Sequence, residues 1–167
     1  MAAEILNVNV PSIKVEAACA SGSVALRQGL QAIKSGEADI VLVNGVEKMT
    51  DVQTRQATTG LMGAGDEEWE GFNGLTFCGL YAMIARAYMH KYKLTREQLA
   101  MVSVKNHKHA TLNPIAHFHN EITVDQVLNS SIIADPLTLL DCSPITDGGA
   151  SLILAKEEIA KKFESPI

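Results

Sequence analysis

"VEAACASGSVALRQGLQAIKSGEADIVLVNGVE", residues 15–47, decides the fold class. It opens inside a short apolar run, residues 12–18, that follows Pro11 and stops at Cys19, the pattern of a buried strand. Small residues come next, and Val24, Ala25 and Ile33 with Leu26 and Leu30 recur at helical spacings before Gly36, a C-terminal stop. Residues 39–47 are nearly continuously apolar up to Gly45, the mark of a strand covered on both faces. Strand, crossover helix and strand predict a right-handed βαβ unit in a parallel-type sheet, hence an α/β fold.

Outward from this unit, residues 49–141 are too many for a loop without structure of its own. Gly60, Gly63, Gly65, Gly71 and Gly74 punctuate its first part, with Asp66, Glu67, Glu68 and Glu70 around Trp69. Residues 79–94 read as a helix. Thr95 with Gln98 three positions later forms a capping-box pattern for a second helix, which must end near Asn113, ahead of Pro114. Residues 149–163 supply a last strand and a short helix. Neither a repeat nor a low-complexity tract occurs.

The 167 residues suffice for one domain with a real core, and 47% hydrophobic with 20% charged residues is an ordinary globular composition. A net charge of −5 and the lack of a basic stripe exclude a nucleic-acid footprint, and Lys161 with Lys162 reads as a solvated helix face. No apolar run approaches a membrane span, and no basic-then-apolar segment opens the chain. Three cysteines at irregular spacing form neither a disulfide framework nor a zinc pattern, so the expected compartment is a reducing cytoplasm. No glycine-rich phosphate cradle follows either strand.

Cys19 has two readings. If a helix begins just after it, free backbone N–H groups and the positive dipole end face the sulfur and favour thiolate, the nucleophilic form. The small neighbours Ala17, Ala18, Ala20, Ser21 and Gly22 leave room for a substrate. The alternative is a small buried hydrophobe. His107 and His109, at i and i+2 of a helix, lie about 200° apart and cannot share an ion. His117 and His119 make only two ligands, so no metal site is expected. Cys142 reads as a structural thiol. Met49, Met62, Met83 and Met89 read as core or tunnel lining.

Residues 15–51 resemble the thiolase family around its nucleophilic cysteine, and "TFCGLYAMIARAYM", "VKNHKHATLNPIAHF" and "LLDCSPITDGGASLIL" match it too. The likeness is greatest to the archaeal and bacterial branch near the sterol-carrier-type thiolases and covers almost the whole chain. It implies a thiolase-like layered fold, present in part. Residues 1–48 would be the first part of the N-terminal domain, 49–140 a helical loop domain for coenzyme A and oligomerisation, and 141–167 the closing strand and helix. It implies acyl transfer through a thioester on Cys19, whose backbone N–H would serve one oxyanion site. The reaction expected is condensation of two acetyl-CoA to acetoacetyl-CoA. A degradative 3-ketoacyl-CoA thiolase, a lipid-transfer-type relative and a non-catalytic scaffold subunit are the alternatives.

The resemblance further aligns Asn106 and His107 with the family's "NH" pair near the coenzyme A channel. It sets Gly148 and Gly149 where the backbone passes close to the active-site cysteine. No tightly bound cofactor is expected, only coenzyme A thioesters as substrates. A homodimer or homotetramer, and association with the next enzyme of the mevalonate route, are inherited expectations. The family's "GHP" histidine, its second catalytic cysteine and its oxyanion-water motif have no counterpart in this sequence, and Cys78 does not replace that cysteine. The chain therefore reads as an internal fragment, inactive alone, with an exposed sheet edge and poor solubility in isolation.

Overall fold

A computed structural model describes residues 2–163. In chain order come α1 (Ala2–Ile5), a 3-10 turn at Ala18–Ala20, α2 (Ser21–Ser35) and β1 (Ile40–Glu47). Then follow α3 (Thr54–Met62), a single π-type turn at Glu67–Gly71, α4 (Phe77–Tyr92), α5 (Arg96–Ala110) and α6 (Val124–Leu128). The last elements are β2 (Ile132–Ala134), β3 (Leu137–Thr138), a 3-10 turn at Leu139–Asp141, β4 (Gly148–Ala155) and α7 (Glu157–Ala160). The chain divides into two units, one made of the residues up to Glu47 and from Asp147 onward, the other of Lys48–Thr146. Among the described residues no helix is long and apolar enough to cross a membrane.

In the first unit β1 and β4 pair antiparallel over their full length, from Ile40 opposite Ala155 to Glu47 opposite Gly148. Helix α2 lies on one face of this ribbon, with Gly29 at the point of closest approach. A Cβ there would stand 2.9 Å from Val43 Cγ2 and 3.0 Å from Leu154 Cδ1, so glycine is what lets helix and strands pack. The helix ends as expected, with Gly36 in the left-handed region at φ 80°. Lys156 Nζ, just beyond β4, reaches Asp39 at 2.5 Å.

The α/β class stands, but two sequence expectations are corrected. Residues 12–18 form no ladder among the described residues, and the pairing β1 makes is antiparallel rather than the parallel partnership of a βαβ unit. A strand needs a neighbour for its backbone groups. The end of this segment instead folds back on a side chain, as Glu16 captures the N–H groups of Ala17 and Ala18. Nor is β1 covered on both faces: Val43 is buried beneath α2, while Leu42, Val46 and the opposing Ile153 are exposed on the other face.

The second unit is helical, and its helices begin where side chains cap them. The Thr76 hydroxyl accepts from Gly79 N–H ahead of α4. Thr95 and Gln98 make the expected reciprocal box at α5, and Gln53–Gln56 and Thr123–Gln126 do the same for α3 and α6. Asp66 caps the turn around Trp69. Ala100 and Val127, both with no exposed surface, lie at the α5–α6 contact.

Beside that contact runs a polar network. Asp141, 5% exposed, pairs with the Arg96 guanidinium and accepts from Ser103 Oγ at 3.2 Å and Thr138 N–H at 2.8 Å. The Thr138 hydroxyl lies 2.8 Å from Val127 O and 2.9 Å from Asp141, sharing its one proton, and accepts from Arg96 at 3.0 Å. Every member has a partner, which is what allows a charge to sit there.

Candidate functional site

The turn that carries Cys19 is shaped by the two polar side chains around it. Ala17 turns away from extended backbone at φ −156°, ψ 41°, and Ala18 follows at φ 48°, a left-handed conformation that alanine rarely adopts. Glu16 Oε1 accepts from Ala17 N–H at 3.0 Å, Ala18 N–H at 2.8 Å and the Ser21 hydroxyl at 2.5 Å. Ser21 Oγ in turn accepts from Ala17 N–H at 2.8 Å and lies 2.7 Å from Ala18 O. The Ser21 hydroxyl bond, then the backbone bond from Ala18, holds the Glu16 carboxyl below the usual carboxylate range. The clamp offsets the strain at Ala18 and sets the direction of the next residue.

That next residue is Cys19, which is exposed, so the reading as a small buried hydrophobe is corrected. It precedes α2 by two residues. The N-cap Ala20 offers no side-chain acceptor and the first turn of α2 holds no acidic group, while the N–H groups of Ala20 and Ser21 bond back to Ala17 O and Ala18 O. Cys19 N–H itself makes no hydrogen bond among the described residues. An exposed sulfur whose own N–H is free, at the positive end of a 15-residue helix, is suited to nucleophilic attack on a carbonyl and to holding the oxyanion that forms.

Asn106 and His107 come together in the second unit, on the wall of a cavity of about 290 Å³ that Ser103, His117, Cys142 and Ser143 also line. His107 Nδ1 lies 3.2 Å from Asn120 O, and since a carbonyl only accepts, Nδ1 carries the proton. Its ring stacks on Phe118 at 5.4 Å, and His117 meets the same ring edge-on at 4.7 Å. His117 Nδ1 is 2.8 Å from Thr146 Oγ1. Several hydrogen-bonding side chains and an aromatic face in one hollow suit a partly polar, partly apolar ligand. Cys142 is pushed up to about 11, first by burial and then by its contact with Cys78.

Gly148 and Gly149 open β4 opposite Glu47 and Val46. A Cβ at Gly148 would meet nothing within 4 Å, and one at Gly149 would make only ordinary contacts with Gly45 and Val46. Glu16 and Ser21 were missed as site residues. Their signal was two polar side chains, three before and two after a cysteine, in an otherwise small and apolar run.

The chain is similar to known proteins over nearly its whole length. The chain is 54% identical over 159 residues to the acetyl-CoA acetyltransferase of Methanothermobacter thermautotrophicus, covering 95% of this chain and 41% of that protein. It is 38% identical over 155 residues to the benzoylsuccinyl-CoA thiolase subunit BbsB of Thauera aromatica, covering 93% of this chain and 40% of the relative. Among solved structures, the Ltp2-ChsH2(DUF35) aldolase superposes with a TM-score of 0.68 at 33% identity, covering 86% of this chain and 36% of that one. The chain thus spans about two fifths of the length of the curated relatives it matches. Residues 1–158 match the family described as thiolase, N-terminal domain, and with nearly the whole chain accounted for, it belongs to the thiolase family.

Proposed function

We propose that this chain carries the nucleophile of an acetyl-CoA C-acetyltransferase. The observation that carries the reading is an exposed Cys19 at the end of a clamped, left-handed turn, its own N–H without a partner among the described residues and the positive end of α2 directly behind it. In the forward direction Cys19 Sγ attacks the thioester carbonyl of acetyl-CoA. The oxyanion is held by the N–H of Cys19, the carbon–sulfur bond to coenzyme A breaks, and the leaving thiolate takes a proton. A second acetyl-CoA, deprotonated next to its carbonyl, then attacks the acyl group. A carbon–carbon bond forms, acetoacetyl-CoA departs and the Cys19 thiolate is regenerated.

The proton carriers of this scheme are the histidine and second cysteine of motifs that do not occur in this sequence, so turnover requires that they be supplied. Acylation of Cys19 is the half-reaction assigned to the chain. Asn106 and His107 are assigned to coenzyme A, with the cavity they line in support. A homodimer or homotetramer is supported by the apolar side chains left exposed on β1, β4 and α4, while a cytoplasmic location and a place in the mevalonate route rest on the family resemblance. A degradative 3-ketoacyl-CoA thiolase is the second reading, and the similarity to a benzoylsuccinyl-CoA thiolase subunit supports a substrate other than acetyl-CoA.

The test is chemical. Iodoacetamide is expected to alkylate Cys19 far faster than Cys78 or Cys142, and acetyl-CoA to leave an acetyl group on Cys19 that a Cys19→Ser variant lacks. Equal alkylation of all three thiols, with no acetyl transfer, would instead support the scaffold reading.

A further inference from the structure

Cys78 opens α4 and Cys142 follows the 3-10 turn at Leu139–Asp141, so 64 positions separate two thiols whose sulfurs lie 3.8 Å apart. Neither has a part in acyl transfer as described above. The Cys78 thiol donates to Cys142 Sγ, and Cys142 Sγ lies 3.5 Å from Thr138 O. Both residues are half-buried, so each keeps some surface that a small molecule can reach, and Cys142 also lines the cavity.

We propose that Cys78 and Cys142 form a second thiol site, one that takes low-molecular-weight disulfides and closes into an intramolecular disulfide. A disulfide requires the sulfurs to approach to about 2 Å. From 3.8 Å, rotation of the two side chains about their Cα–Cβ bonds supplies the movement. What is given up is two weak thiol hydrogen bonds.

The exchange runs in two balanced steps. Cys78 thiolate attacks one sulfur of the small disulfide, forms a Cys78–S–S–R bond and releases one RS⁻. Cys142 thiolate then attacks the Cys78 sulfur, the Cys78–Cys142 bond forms and a second RS⁻ leaves. The two protein protons end on the two released thiols, so the protein is oxidised by two electrons and the small disulfide reduced by two. Burial raises the Cys142 thiol, and because its attack requires the thiolate, closure becomes faster as pH rises. In a reducing compartment the pair stays open, and a rise in small disulfide closes it. The bond ties the start of α4 to the cavity wall.

The experiment uses the chain with Cys19→Ser, which removes the exposed thiol and makes the result independent of the acyl-transfer reading. The protein is incubated with oxidised glutathione at pH 8, quenched with acid and mapped by mass spectrometry without reduction. The expected product has lost two hydrogens, carries no glutathione, joins the Cys78 and Cys142 peptides, melts several degrees higher and reverts with dithiothreitol. Adding Cys142→Ser is expected to trap glutathione on Cys78. Two glutathiones on the Cys19→Ser protein, or two free thiols after prolonged exposure, would overturn the proposal. If the double variant does not fold, the peptide map of the single variant decides alone.

Discussion

Replacing Asp141 by alanine tests the reasoning about the second unit most directly. The carboxylate pairs with Arg96 and accepts from Ser103 and from both the N–H and the hydroxyl of Thr138, at 5% side-chain exposure against 19% for Arg96. Truncation orphans the guanidinium, and breaking one side of a buried pair costs about 3–5 kcal/mol. Arg96 retains some access to water, which sets the expectation at the lower end, about 3 kcal/mol. Asp141→Asn keeps an acceptor for Thr138 N–H and is expected to lose less. Arg96→Met with Asp141→Ala leaves no unpaired charge, so the double variant should fall short of the summed single losses by about 1–3 kcal/mol. Urea unfolding at pH 7, followed by far-ultraviolet circular dichroism, measures the parent, the three single variants Asp141→Ala, Asp141→Asn and Arg96→Met, and the double variant. A loss under about 1 kcal/mol for Asp141→Ala, or strict additivity in the double variant, would refute the network as a coupled unit.

Three further outcomes are expected. Gly29→Ala drives a methyl to 2.9 Å from Val43 Cγ2, so overpacking of about 1–3 kcal/mol outweighs a helix-propensity gain of about 1 kcal/mol, and thermal melting shows a net loss. Gly22→Ala in the same helix meets nothing within 4 Å and melts no lower than the parent, so the pair separates packing from propensity. Thr95→Ala removes the cap of α5 and costs about 1 kcal/mol in the same urea assay, while Thr95→Ser costs less than half of that. The raised Cys142 thiol makes the folded state hold its proton more tightly than the unfolded chain, whose thiol titrates near 9.0. Stability from this source is whole below pH 9 and falls as pH rises toward about 11, a slope that denaturation at stepped pH detects and Cys142→Ser removes.

Local chemistry was legible before any coordinates. Residues 20–36 carry apolar side chains at helical spacing with glycine at the end, and Thr95 with Gln98 caps a helix using atoms three residues apart. The resemblance around Cys19 rested on contiguous residues as well. Short elements such as α3, α6 and the β2–β3 pair went unread, because two to nine residues hold too little periodicity to distinguish a helix or strand from a turn.

What the sequence alone determined is therefore what neighbouring residues decide among themselves: helix limits, caps, the α/β class and a cysteine at the mouth of a helix. Tertiary structure decided the rest. It paired β1 with a strand about a hundred residues away instead of residues 12–18, left one face of that ribbon bare, and brought Arg96 to Asp141 and Cys78 to Cys142. Ladders, ion pairs and thiol contacts form between whichever groups the folded chain sets side by side, and across 45 or 64 intervening residues no spacing rule announces them. The turn at Cys19 lies between these cases, since Glu16 and Ser21 are local in sequence, but only coordinates revealed a left-handed Ala18 for them to hold.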